Sequence, residues 1–413
     1  MTFHGQDEVA ASPPTPQRSR RQQGSAVIGK GRWLAGLKRE RPRATYRTDL
    51  GTVGFGMWLL TGLFVDGFAH RNLNLQQESF FTPWHAIFYS GFAATAGWIL
   101  WHVWRNMQSG YVGLSAIPAG YGGAVAGLVI FAEGGAGDFI WHTLFGIEQD
   151  LDALFSPSHL LLFTGIFLIL SAPLVAAWHR LDPPDGAAPS ARVFLPVTLS
   201  LAWSSGLIAF CFGYWGAAGE EGVGKDITSW ARSLDTLPAV RMPGSNEADT
   251  ISQFVQETSL ASLFVTLAIL LLPALLVSRR WQTPLGTFTV TWTLVATLTQ
   301  VADGFGGAPR IGSFALAGLA VDLLTRGFRP DRGGTASLAL VGCGGALAWT
   351  SAYFTIVHLT SGIGMHLEMW TGVITWSVLL GGLAGALIAT VARLGGAPPQ
   401  LPSARAETSA ASC

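Results

Sequence analysis

The chain has 413 residues, and its composition is that of a membrane protein rather than of a soluble domain. Hydrophobic residues make up 49% of the chain and charged residues only 12%, whereas soluble domains have about 25% charged residues. Cys211, Cys343 and Cys413 are far apart and form no CxxC pair, which argues against a disulfide framework or a thiolate metal site. These features predict a polytopic helical membrane protein.

Positive charge is concentrated at the N-terminus, although the formal net charge is zero. Residues 1–50 contain ten of the 25 Lys and Arg, in a segment rich in Pro, Arg and Gln. No apolar signal-peptide core precedes residue 50. Residues 1–48 are therefore interpreted as a disordered cytoplasmic arm, rather than as a nucleic-acid-binding arm.

Ten segments are apolar and long enough to be predicted as membrane spans. They lie near residues 50–69, 83–104, 119–142, 158–178, 192–215, 256–278, 284–302, 309–325, 335–357 and 368–392. Basic residues follow every even-numbered span, which places those connections and both termini in the cytoplasm. The expected fold is an all-α transmembrane bundle with repeated hairpins in a bacterial plasma membrane.

Five regions are expected along the chain. They are the basic arm (1–48), a tandem-hairpin region that carries metal sites (49–182), spans five and six with an extracytoplasmic loop at 216–255 (183–283), a four-span C-terminal region (284–393) and a disordered tail (394–413).

A polar cluster interrupts the apolar sequence at the end of the first predicted span. Asp66 and His70 are four residues apart, so they share one face of a helix. Thr82 is a good N-cap, and Pro83 suits the first position of a helix. His85 is therefore predicted to lie in the first turn of the next helix, close to Asp66 and His70.

A second copy of this cluster follows about seventy residues later in the chain. Asp138 and His142 repeat the first Asp–His pair with an offset of 72 residues. The pattern Ser/Thr-Pro-x-His at 82–85 recurs at 156–159 with an offset of 74 and ends in His159. Each copy is expected to bring two imidazoles and one carboxylate together near the extracytoplasmic side.

Two histidines and one carboxylate form a metal-ligand set. Such sets suit copper, non-haem iron or zinc, and the spacing does not choose among them. Ionisable residues at membrane depth are costly and usually functional. The alternative is an Asp–His hydrogen bond that only ties each hairpin together, but the recurrence of both residues and caps favours metal sites.

Other polar residues are weaker candidates. His358, His366 and Glu368 are candidates for an additional site, or else ordinary interfacial residues. Glu133 and Glu148 are candidates for supporting the ligands or relaying protons. Asp303 repeats Asp66 within a third hairpin, but Gly307 stands at the histidine position, so this copy is interpreted as degenerate.

The tandem D-x3-H…H motifs resemble those of one helical membrane protein in the copper membrane monooxygenases, the particulate methane and ammonia monooxygenases. The resemblance covers about residues 50–180. It implies a helical membrane component that works in a complex, with Asp66, His70 and His85 as one copper site and Asp138, His142 and His159 as its neighbour. The loops between the histidines are a little longer here, and Asp138 stands where the family has Asn.

The leading hypothesis is a component of a membrane monooxygenase in which copper, or alternatively iron or zinc, activates O2 to oxidise a small apolar or ammonia-like substrate. Its expected partners are the lipid bilayer and other membrane or extracytoplasmic subunits or further copies of the chain, with no nucleic acid. The alternatives are a metal-ion or proton transporter, whose ligands should lie near the midplane, and an intramembrane zinc hydrolase acting on lipid. A bis-histidine haem protein would need histidines facing each other inside the membrane.

Overall fold

The computed structural model of the protein describes residues 41–73, 81–146, 154–180, 188–213, 216–219 and 247–394. Within these ranges the chain is all helical and contains no β-strand. The α-helices are α1 (Tyr46–Asn72), α2 (Pro83–Gln108), α3 (Gly122–Phe145), α4 (Pro157–Leu170), α5 (Ala172–Arg180), α6 (Ala191–Cys211), α7 (Glu247–Arg280), α8 (Thr287–Ala302), α9 (Ile311–Phe328), α10 (Thr335–Thr360) and α11 (Leu367–Leu394). Most of the expected arm, loop 216–255 and tail lies outside the described residues.

Eight helical segments are long and apolar enough to cross a membrane, which indicates an integral membrane protein. They are Tyr46–His70, Gly122–Phe145, Pro157–Arg180, Ala191–Cys211, Gln256–Arg280, Ala308–Phe328, Thr335–Thr360 and Leu367–Leu394. Each corresponds to one predicted span. The other two predicted spans correspond to α2, which is rich in Trp and polar residues, and to α8, which has only 16 residues.

The two motif copies lie on two helix pairs that pack in the same way. In the first pair (α1 and α2), a Cβ added to Gly91 would lie 2.6 Å from Leu59 Cα. In the second pair (α3 and α4), a Cβ added to Gly165 would lie 2.8 Å from Phe131 N. Gly165 follows Gly91 by 74 residues and Phe131 follows Leu59 by 72, which are the offsets of the motifs. Glycine thus permits the same close backbone approach in both pairs.

A buried polar network joins the two pairs at the ends opposite the motifs. Arg180 Nη1 lies 2.6 Å from Asp49 Oδ2, and the Tyr121 hydroxyl donates to Asp49 Oδ1 at 2.8 Å. Asp49 is fully buried, so removing its cationic partner would leave an uncompensated charge, at a cost of about 3–5 kcal/mol. The network fixes the start of α1 against α3 and α5, and thereby the positions of the two motif copies.

A third helix pair (α8 and α9) and α6 close the remaining side of this region. Asn72 Nδ2 at the end of α1 donates to Ala302 O at the end of α8, at 3.3 Å. At the other end of α8, the Asp322 carboxylate accepts from the backbone N–H of Phe288 and Thr289, each at 3.0 Å. These bonds hold α8 beside the first motif copy.

Candidate metal centre

Both Ser/Thr-Pro-x-His segments start a helix as predicted. Thr82 Oγ1 accepts a hydrogen bond from His85 N at 3.2 Å, and Ser156 Oγ accepts one from His159 N at 3.4 Å. Proline follows each cap at the start of the helix. The two histidines therefore lie in the first turn of α2 and α4, where they face the ends of α1 and α3.

The first motif copy forms a compact group of three ligand atoms. His85 Nε2 lies 3.3 Å from Asp66 Oδ1, and His70 Nε2 lies 3.8 Å from Asp66 Oδ2. The ligand atoms of Asp66, His70 and His85 all lie within 4.8 Å of one another. Two ligands bound tetrahedrally to one ion at about 2.1 Å are separated by about 3.4 Å. The predicted first triad can therefore meet one ion after small side-chain adjustments.

The second motif copy is arranged differently from its prediction. His142 Nε2 lies 3.3 Å and His159 Nε2 lies 3.0 Å from Asp138 Oδ1. The compact group, however, consists of His85, Asp138 and His142. His85 takes the place expected for His159, which contacts the carboxylate from outside the group.

The two predicted sites are parts of one cluster. Ring centroids are 6.0 Å apart between His70 and His85, 6.1 Å between His85 and His142, and 5.8 Å between His142 and His159. His85 belongs to both compact groups. The two sites therefore share a central imidazole and are not independent.

Two side chains that support Asp138 are absent from the predicted site residues. The Tyr89 hydroxyl donates to Asp138 Oδ2 at 3.0 Å, and Ser158 Oγ donates to Asp138 Oδ1 at 3.4 Å. Tyr89 follows His85 by four residues, so the helical period does place it on the ligand face. Its partner across the two helix pairs has no signal in the local sequence.

The donor set fits a metal ion. Asp66 Oδ1 and His70 Nδ1 are buried and make no hydrogen bond with the residues that the structure describes, although buried polar atoms are normally satisfied. Imidazole and carboxylate together suit copper, iron and zinc. An ion bound between Asp66, His70 and His85 would give the orphaned carboxylate oxygen a partner.

Five of the six predicted ligands line one cavity of about 90 Å³. They are Asp66, His70, His85, Asp138 and His159. Most of the other lining side chains are apolar, among them Phe64, Phe88, Phe163 and Phe210. The cluster therefore faces a small and largely apolar space, of the kind that excludes water from a reacting centre.

The weaker candidates lie apart from this cluster. Glu133 is exposed on α3, and His358, His366 and Glu368 are exposed near the junction of α10 and α11. None of the four belongs to a compact ligand group in the described part of the chain, and Glu148 lies outside that part. Asp303 does line the cavity, whereas Gly307 offers no imidazole.

Comparison of the chain with models of protein families, with characterised proteins and with solved structures finds no match.

Proposed function

We propose that the protein is a membrane-embedded metal monooxygenase subunit, with copper as the metal. The observation that carries the proposal is the shared cavity, in which five candidate ligands meet a mainly apolar wall. The balanced reaction is R–H + O2 + 2 e⁻ + 2 H⁺ → R–OH + H2O, with both electrons from an external two-electron reductant. The bound metal would supply the activation of O2.

The residues of the chain have separate parts in this proposal. Asp66, His70, His85, Asp138 and His142 would hold the metal, because their ligand atoms form the two compact groups. The Tyr89 hydroxyl orients the Asp138 carboxylate through its 3.0 Å hydrogen bond. A ligand held in its binding orientation needs less reorganisation when the ion arrives.

The cavity limits the substrate. Its volume of about 90 Å³ is smaller than the engineered 150 Å³ protein cavity that accommodates benzene. The phenylalanines at its wall give an apolar substrate a dry contact surface and keep bulk water from the cluster. A small apolar or ammonia-like molecule that enters from the lipid suits these properties.

We further infer that α2 and α8 also cross the membrane, which gives ten spans. α2 packs along the length of α1, and α8 packs against α6 and α9, all of which qualify as spans by themselves or as part of one. With ten spans and a cytoplasmic N-terminus, the cluster lies at the extracytoplasmic face. Ligands at one face, rather than at the midplane, disfavour a transporter.

An intramembrane zinc hydrolase is the second candidate, and two serines favour it. Ser156 Oγ lies 2.9 Å from His159 Nδ1, and Ser158 Oγ lies 3.4 Å from Asp138 Oδ1. Hydroxyls beside an imidazole and a carboxylate are the parts of an activated nucleophile. Ser156 also caps α4, which explains its position without catalysis.

Metal analysis of the purified protein tests both candidates. We expect stoichiometric copper with an electron paramagnetic resonance signal of nitrogen-ligated Cu(II), and loss of most of this copper in His70→Ala and His142→Ala. His358→Ala is the matched control, because His358 is exposed and outside the compact groups. Zinc as the bound metal would favour the hydrolase, and a protein without bound metal would contradict both candidates.

A further inference from the structure

Glu133 places a carboxylate on the outer surface of a membrane helix. It is the twelfth of the 24 residues of α3, which is long and apolar enough to cross a membrane. Its side chain is exposed and makes no hydrogen bond or ion pair with the described residues. Ionisable groups at the bilayer centre are rare on lipid-facing surfaces, because they almost always face protein or water.

The surface around Glu133 is suited to another helix. Ala126, Val129, Ala136 and Ile140 are exposed and lie within two turns of Glu133 on the same face of α3. We call these five residues the Glu133 face. Only 33% of the apolar window of α3 is buried, compared with 56% for α1, so much of α3 lacks a neighbour within the chain. Alanines beside a polar residue let helix backbones approach closely in a membrane.

We propose that the Glu133 face binds the same face of a second copy of this chain. In a two-fold symmetric interface a residue near the axis meets its own copy. A protonated carboxyl group both donates and accepts a hydrogen bond, so two facing Glu133 side chains satisfy each other completely. No other type of side chain is required for this pairing.

Basic residues of the chain offer no competing partner at this depth. In the described ranges the Lys and Arg residues lie at or near helix ends or in connections. A second copy that used another of its described faces would therefore bring no cation to Glu133. Self-pairing is the arrangement that the described residues can satisfy.

The Glu133 face leaves the metal cluster accessible. Asp138 follows Glu133 by five residues, which places the two side chains about 140° apart around the helix. Asp138 is buried at the cluster, whereas Glu133 is exposed. Association through α3 therefore does not require the bound metal, and the two proposals can fail separately.

Two substitutions of Glu133 test the interface, with association measured by energy transfer between labelled copies in lipid vesicles. We expect the wild type to dimerise, Glu133→Gln to dimerise similarly because an amide also donates and accepts, and Glu133→Leu to associate at least about tenfold more weakly. Glu368→Leu is the matched control, because Glu368 is exposed in the first turn of α11. Helix content by circular dichroism and metal content should be unchanged in each variant.

Cysteine cross-linking locates the contact. In a background without the three native cysteines, Ala136→Cys should form a disulfide-linked dimer much faster than Leu383→Cys, which is exposed on α11. A wild-type chain that stays monomeric, a Glu133→Leu variant that associates like the wild type, or equal cross-linking at the two positions would each overturn the proposal.

Discussion

Asp66 and Asp138 occupy matching positions in two similar helix pairs, but their surroundings differ. Asp138 accepts hydrogen bonds from Tyr89 and Ser158. Asp66 Oδ1 is buried and makes no hydrogen bond with the described residues. The Asp66 side chain is 13% exposed, whereas that of Asp138 is 2% exposed. The second carboxylate is thus drier and more firmly oriented than the first.

Two substitutions between the copies account for this difference. With the offset of 74 residues, Phe163 corresponds to Tyr89 and Trp84 corresponds to Ser158. The copy that contains Asp66 therefore lacks both hydroxyl groups at the equivalent positions. Identical ligand types can have different affinities when their supporting hydrogen bonds differ, so we expect the group around Asp138 to bind metal more tightly.

The largest effect is expected from the residue that the two groups share. His85→Ala should weaken metal binding in both groups by more than about 100-fold, because the loss of an outer partner alone costs 10–100-fold. Metal titration followed by spectroscopy of the bound ion would measure this change.

His159→Ala is the matched comparison for His85→Ala. His159 contacts Asp138 but lies outside both compact groups, so its loss should leave the group around Asp66 unaffected. Equal losses of metal in the two variants would mean that the triad of Asp138, His142 and His159 forms on binding and that His85 is not shared.

Tyr89→Phe should separate the two copies. It removes only the hydroxyl that donates to Asp138 Oδ2, so metal affinity should fall about 10–100-fold in the group around Asp138 and remain unchanged in the group around Asp66. Competition with a chelator, read at the two spectroscopic signals, would resolve the groups. A uniform loss at both would indicate that Tyr89 acts on the shared His85 instead.

The packing of the two helix pairs gives a stability comparison. Gly91→Ala and Gly165→Ala each place a methyl group against backbone atoms, at 2.6 Å and 2.8 Å. Each should lower the free energy of unfolding by about 1–3 kcal/mol, as overpacking does. Gly97→Ala is the control, because a Cβ there meets nothing within 4 Å. Thermal unfolding in detergent would rank the variants, and an unchanged Gly91→Ala would contradict the close approach in the first pair.

The local sequence is sufficient to predict the helix starts and the ligands. The Thr82 and Ser156 caps depend on neighbouring residues alone, and both are confirmed. The spacing from Asp66 to His70 follows the helical period and likewise needs no tertiary information. The all-helical class follows from composition and is confirmed in the described part of the chain.

Relations between the two helix pairs are not predictable from the sequence. The sharing of His85 and the bond from Tyr89 to Asp138 depend on how α2 lies against α3, which no local pattern specifies. Glu133 is a different case, because its position on the same helix as Asp138 makes it a candidate support for the ligands. Its separation of five residues from Asp138 places it on another face of that helix, so the helical period is sufficient to exclude that role.

Ser158→Ala should have the smallest effect and can sharpen the comparison further. The Ser158 Oγ to Asp138 Oδ1 distance of 3.4 Å marks a weak hydrogen bond, worth about 0.5–1.5 kcal/mol at most. Metal affinity at the group around Asp138 should therefore fall only a few-fold. Because Tyr89 bonds the other oxygen of the same carboxylate, the two hydroxyls hold one group and their effects should not add. The double variant with Tyr89→Phe, titrated beside each single variant, measures this coupling, and strict additivity would show that the two bonds orient Asp138 independently.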